Sequence, residues 1–264
     1  MPAAPIVFGR EFFEVDPRST ALIVIDMQNA FVAEGATYET PPARTMLPNL
    51  ERIINFAREQ DMPIIWTQSD HSAPFGGVML KKFPTIREDK YLWKGQPSFD
   101  LYDQMLPPKE GEYRVVKHKY DAFFETDLDS ILRNNRIKTI IIVGTATNVC
   151  CESTARSGFF RDYQVAFPSD CNASFDDGMH QASLKTIDMF FGRVMTTEAC
   201  STKCEMSLAE TIVKRPNKSL TATFAWIGLL GSLEIGGEDD SRARGRVWRC
   251  VEQSGRGFGH QLLH

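Results

Sequence analysis

Two short apolar runs, Ala21-Leu-Ile-Val-Ile-Asp26 and Thr139-Ile-Ile-Ile-Val-Gly144, constrain this chain more than any other feature of it. Each is rich in β-branched residues, too short for a buried helix and continuously apolar over at least four positions before its end. That is the pattern of a parallel strand covered on both faces. Such strands require helices above and below the sheet. Pro48 to Gln60 has helical spacing at Leu50, Ile53, Ile54 and Phe56-Ala57, with Pro48 suited to a first turn. Met62 to Gln68 then reads as a second strand and Tyr113 to Lys117 as a third. Thr126 is the expected N-cap of the next helix, with Asp129 where a capping-box acid sits. Glu152 to Phe160 is helix-compatible, Tyr163 to Phe167 reads as a fifth strand, Asp177 to Phe190 as a helix and Gly192 to Met195 as a sixth strand.

This alternation predicts an α/β fold: a doubly wound, mostly parallel six-stranded sheet with helices on both faces and right-handed crossovers. Function is then expected at the carboxyl ends of the strands. The segment Ser69 to Glu112 is rich in Pro, Gly, Lys and aromatics and has little periodicity, so it reads as an excursion covering a pocket. Beyond Pro216 the periodicity stops, which divides the chain into a domain over 1–215 and an irregular tail over 216–264. The tail reads as an extension, an arm for a partner, or a segment unrelated to the domain.

At 264 residues and 42% apolar composition the chain can bury a full core, and one large domain is simpler than two small ones. The net charge of −4 has no long single-sign run, which argues against nucleic acid or an anionic membrane as partner and for a small molecule. Phe224 to Leu233 is too short to span a bilayer. The six cysteines show no framework spacing, and Met1 to Phe13 has neither the basic start nor the apolar run of a signal peptide. A cytoplasmic protein with reduced thiols is the expectation, and Asn172-Ala-Ser and Asn217-Lys-Ser then match the glycosylation pattern by chance.

Three reactive side chains fall at the ends of predicted strands or just beyond them: Asp26, Lys117 and Cys150. A switch-point crevice collects such groups. Cys150 also opens a predicted helix, where unpaired N–H groups and the helix dipole are expected to lower a thiol pKa. Taken alone, Cys150 reads equally as a small buried apolar residue. Beside Asp26, which can take and return a proton, and Lys117, which favours the thiolate, it reads as a nucleophile. Lys119 lies on the same side of an extended strand as Lys117, so spacing leaves both open. His118 is turned away by the same alternation.

The segments Asp26-Met-Gln-Asn-Ala-Phe31, Lys117-His-Lys-Tyr-Asp-Ala-Phe-Phe124 and Gly144-Thr-Ala-Thr-Asn-Val-Cys150-Cys-Glu-Ser-Thr resemble the signature segments of the isochorismatase-like cysteine hydrolases. The resemblance spans roughly residues 18 to 200. Within that family, Ala146 to Phe160 is similar to the ureidoacrylate amidohydrolases and, less closely, to biuret and N-carbamoyl amide hydrolases. The resemblance implies a triad of Asp26, Lys117 and Cys150, favouring Lys117 over Lys119. It also implies a cis peptide at Thr145–Ala146, with the N–H groups of Ala146 and Cys150 as an oxyanion hole. No metal and no cofactor are implied. Asp70-His71 stands where related nicotinamidases place metal ligands, but the histidines at 71, 118, 180, 260 and 264 do not supply that set.

The implied activity is that of an amidohydrolase releasing ammonia from a ureido or amide carbonyl through a covalent Cys150 intermediate. Ureidoacrylate-like substrates come first, and biuret or N-carbamoyl amides are the alternative. A catalytically silent domain of the same family, serving as an interaction module, is the reading from another class. Asn29 and Asn148 are candidate hydrogen-bonding groups for a ureido substrate. Phe31, Tyr120 and Phe124 are candidates for walling a small planar pocket or for the core. Cys151 reads as a helix-packing thiol. The resemblance also carries the expectation of a homo-oligomer.

Overall fold

The computed structural model describes residues 15–202 and 204, so the 216–264 segment lies outside the described residues, as do Met1 to Phe13, Asn217, Cys250, His260 and His264. The chain begins with β1 (Thr20–Ile25), the short helices α1 (Asn29–Val32) and α2 (Pro42–Thr45), and α3 (Leu47–Glu59), followed by β2 (Ile64–Ser69). Two further short helices, α4 (Met79–Lys82) and α5 (Pro84–Glu88), lie in the long excursion before β3 (Tyr113–Lys117). Then come α6 (Leu128–Asn134), β4 (Thr139–Thr145), a π-helical turn over Thr147–Cys151 and α7 (Glu152–Phe159). β5 (Gln164–Pro168), the two-residue β6 (Asn172–Ala173), α8 (Asp177–Phe190) and β7 (Arg193–Met195) complete the order.

Among the described residues the sheet has seven strands in the order β3-β2-β1-β4-β5-β7, with β6 paired to β4, and every ladder is parallel. The extra strand beyond the expected six is β6, too short to leave a periodic signal. The doubly wound reading holds, and the chain reverses its direction of winding between β1 and β4.

Alternation along the strands explains why both runs are apolar throughout. Leu22 and Val24 of β1 and Ile141 and Val143 of β4 pack with Leu50, Ile53 and Ile54 of α3 on one face. Ala21, Ile23 and Ile25, with Ile140 and Ile142, pack on the other face with Leu128 and Leu132 of α6, Ala155 of α7 and Ile187 of α8. A strand between two helical layers has no polar side to offer. The edge strand β3 does, and Arg114 and Val116 are exposed there.

Two local expectations need correction. α6 starts at Leu128 with Asp127 at its N-cap, and the Thr126 hydroxyl instead accepts from the Leu128 N–H at 3.2 Å, an ST-type turn one residue early. Asp129 pairs with Arg133 at 3.0 Å and accepts from the Tyr163 hydroxyl at 2.9 Å rather than closing a capping box. Asn172 is buried, its amide donating to the Ile142 and Pro168 carbonyls, so the Asn172-Ala-Ser pattern is structural. No described helix is long and apolar enough to cross a membrane.

Gly144 sits opposite Ile25 where β4 and β1 run closest to the site, at φ +124°, and a Cβ there would lie 2.1 Å from the Ile25 carbonyl oxygen. Both the backbone conformation and the space exclude a side chain. Gly144→Ala is expected to destabilise the fold by about 3 kcal/mol or more. Gly35→Ala, at φ +74° with nothing within 4 Å, should cost only about 1 kcal/mol. Urea denaturation of the two variants against wild type measures the difference.

Candidate active site

The ends of β1, β2 and β3 converge on one buried charge pair. Lys117 closes β3, and its Nζ lies 2.7 Å from Asp26 Oδ2, with both side chains 0% exposed. Asp26 follows β1 directly and adopts φ +47°, a left-handed conformation that an aspartate tolerates better than most residues. The register that places Ser69 of β2 opposite Lys117 supplies the third member. The Ser69 hydroxyl donates to Asp26 Oδ2 at 2.8 Å and accepts from Lys117 Nζ at 2.8 Å. Thr67, two residues earlier on the same side of β2, donates to Asp26 Oδ1 at 2.7 Å, and Lys117 also donates to the Lys119 carbonyl at 3.0 Å.

Cys150 enters this group from the π-helical turn after β4. Its thiol is within hydrogen-bonding reach of both Asp26 and Lys117. The Thr145–Ala146 peptide is cis, as the resemblance implied, and the Ala146 carbonyl accepts from the N–H groups of Val149 and Cys151 at 3.0 and 3.2 Å. The Thr145 hydroxyl donates to the Asp26 carbonyl at 2.9 Å, which ties the β4 end to the β1 end.

The electrostatics correct one expectation. Burial pushes the Cys150 thiol up to about 12; Lys117 pulls it down and Asp26 pushes it further up. Cys150 lies inside a continuous π-to-α helical segment and against a carboxylate, and desolvation outweighs any dipole effect. The resting thiol is therefore protonated. Burial works against the Lys117 ammonium as well, but Asp26 and then Cys150 hold its pKa above the ordinary value. Lys119, the alternative to Lys117, instead sends its ammonium to the Phe75 carbonyl at 2.8 Å.

A cavity of about 380 Å³ opens onto Cys150, with Ser69, His71, Ala146 and Val149 beside it. Phe31 and Tyr120 line it, as do Thr37, Tyr38, Met79, Phe83, Ile86, Leu92 and Phe175. The excursion contributes much of this wall through α4, α5 and Leu92. Gln28 pins it down: its amide donates to the Phe99 carbonyl at 2.7 Å and to the Ser69 carbonyl at 3.2 Å, while its oxygen accepts from the Ser69 N–H. Asn29 and Asn148 are not among the lining residues. The Asn29 amide donates to the Pro97 carbonyl, and Asn148 accepts from Ser174 and donates to Met179 sulfur. Phe124 is 46% exposed and also stands outside the lining.

Asp70 binds its own loop, accepting from the N–H and hydroxyl of Ser72 and the N–H of Lys94, while His118 stacks on Phe75 at 3.9 Å between ring centroids. Ser69, Thr67 and the wall from Thr37 to Thr40 were not singled out in the sequence. The first two had a signal, hydroxyls two apart at the end of a central parallel strand. The wall had none.

Residues 20–199 match the family model described as the isochorismatase domain. The chain is 34% identical over 217 residues to the ureidoacrylate amidohydrolase RutB of Caulobacter segnis, covering 75% of this chain and 88% of that protein. To the ureidoacrylate amidohydrolase RutB of Acinetobacter baylyi it is 33% identical over 210 residues, 72% of this chain and 85% of the relative. Among solved structures, a cysteine hydrolase from Pseudomonas syringae pv. phaseolicola is similar with a TM-score of 0.71 at 29% identity, covering 77% of this chain and 99% of that one.

Two measurements probe the site's energetics. Ser69→Ala removes the hydroxyl shared by Lys117 and Asp26 and should cost about 1–3 kcal/mol in urea denaturation. His71 is held neutral, its pKa lowered from 6.5 to about 4 by burial and then by Lys117. The unfolded chain therefore takes up this proton first as pH falls. The stability present above pH 6.5 is lost progressively toward pH 4, about 3 kcal/mol in all. His71→Asn should flatten that part of the stability profile.

Proposed function

The chain belongs to the isochorismatase family and is a hydrolase acting on C–N bonds, and from that premise we propose that it releases ammonia from the terminal carbamoyl or amide group of a small ureido-type compound through a covalent Cys150 intermediate. The observation that carries this reading is the thiol held against Asp26 and Lys117 at the floor of the cavity. Ureidoacrylate enters as the first compound to try because it is what the relatives' names specify.

Burial, with Asp26 opposing Lys117, pushes the Cys150 thiol up to about 12, so little thiolate forms in advance of substrate. Proton removal is therefore coupled to attack. As Cys150 Sγ bonds to the carbonyl carbon, its proton passes to the Asp26 carboxylate, and the carbonyl π electrons move onto oxygen. The oxyanion is placed toward the N–H groups of Ala146 and Cys150, where each preorganised donor contributes about 3–4 kcal/mol. Collapse breaks the C–N bond, and the nitrogen takes the proton from Asp26 and leaves as ammonia. Water, activated by Asp26, then adds to the acyl or carbamoyl thioester and frees the thiol. For a ureido substrate the carbamate product loses carbon dioxide. Lys117 keeps positive charge beside both anions as they form, while Ser69 and Thr67 hold Asp26 in register.

Ammonia release should be measured from ureidoacrylate, biuret, N-carbamoyl amino acids and nicotinamide at equal folded concentrations of wild type and variants. Cys150→Ala is expected to abolish turnover, and Asp26→Asn to lower kcat by about 10²–10⁴-fold. Acid-quenched mass spectrometry should find the carbamoyl or acyl group on Cys150. Turnover that survives in Cys150→Ala refutes the covalent mechanism.

A further inference from the structure

We propose that the substrate's non-reacting part is an uncharged, apolar group, so that a neutral carbamoyl or amide compound is preferred over an otherwise matched one carrying a carboxylate; this deepens the function proposed above and rests on it. The cavity divides by chemistry. Ser69, His71 and Cys150 line it beside the reacting group, and Phe31, Met79, Phe83, Ile86, Leu92 and Phe175 make the rest mostly apolar, with Thr37, Tyr38, Glu39, Thr40 and Tyr120 among them. A volume of about 380 Å³ is within the ordinary range for small-molecule sites, so an apolar substituent fits behind the reacting carbonyl.

Among the described residues, the lining includes no Lys or Arg. Of the cations close by, Lys82 lies over the outer-wall residue Phe83 at 5.9 Å to the ring centroid, and three others bind protein groups. Lys117 is fully buried on Asp26, Lys119 reaches the Phe75 carbonyl, and Arg44 pairs with Glu39 at 2.6 Å and donates to the Val32 carbonyl at 2.7 Å. His71 is neutral at pH 7, since burial first and then Lys117 lower its pKa. The one acid or base in the lining that is charged at that pH is Glu39, and its ion pair with Arg44 leaves no net positive charge there for a carboxylate. The Tyr38 hydroxyl is bonded to Thr85, and Ser69 to Asp26 and Lys117, so neither is left over to solvate an anion. Moving a carboxylate from water into so apolar a wall strips hydration that the Tyr120, Thr37 and Thr40 hydroxyls and the neutral His71 ring replace only in part. A neutral apolar group loses nothing comparable and removes apolar surface from water.

Two matched pairs test this: 3-ureidoacrylate against its methyl ester, and 4-ureidobenzoate against 4-methylphenylurea. Wild type is expected to favour the neutral member of each pair by at least tenfold in kcat/KM, and Cys150→Ala to bind it at least tenfold more tightly by calorimetry. Thr37→Arg, at an exposed lining position, places a cation at the cavity and should shrink that ratio at least tenfold. Equal or better handling of the acids, binding of none of the four compounds, or a ratio unmoved by Thr37→Arg overturns the inference. Selective binding of the neutral members to Cys150→Ala, with no turnover by wild type, upholds it and refutes the amidohydrolase reading instead.

Discussion

A fully buried ammonium and carboxylate, Lys117 and Asp26 at 2.7 Å, is the interaction on which the geometry of this molecule turns. Desolvating two charges is costly, and their attraction offsets that cost only when the contact is close and the remaining hydrogen-bonding capacity is filled. Here it is filled. Thr67 and Ser69 donate to the two carboxylate oxygens, and Ser69 and the Lys119 carbonyl accept from the ammonium. These partners come from three neighbouring strands, so the pair is satisfied only when β1, β2 and β3 end in register. The constraint ties strand order, strand length and site geometry together.

The same pair sets the state of the Cys150 thiol. Cys150 meets a positive and a negative neighbour at once, and their effects oppose, leaving burial to decide in favour of the neutral thiol. A neutral thiol beside an anchored carboxylate has a proton acceptor close at hand. Lys117 is positive because Asp26, and then Cys150, favour its charged form against burial.

Beyond Asp26, Lys117 and Cys150, the cavity is assembled from segments with no common periodicity: α1 and the residues after it, α4 and α5 of the excursion, and Phe175 before α8. What holds them is hydrogen bonding from side-chain amides and the backbone to loop carbonyls. Gln28 and Asn29 reach across to the Phe99 and Pro97 carbonyls, and the His71 N–H donates to the Leu92 carbonyl. The result is a polar floor built by the sheet and an apolar wall built by the excursion.

The apolar strands, their parallel arrangement and the placement of Asp26, Lys117 and Cys150 at strand ends were determined by the sequence alone. They rest on local signals: continuous β-branched runs, 3.6-residue spacing and a chemical residue just past each strand. Spacing could not separate Lys117 from Lys119, because both sit on one side of an extended segment; the burial of one and the turn of the other toward Phe75 do so. The protonated state of Cys150, the bridging by Ser69, and the absence of Asn29 and Asn148 from the lining were decided by tertiary structure. Each depends on distances between residues dozens of positions apart, and on desolvation that exists only once both helical layers close over the sheet.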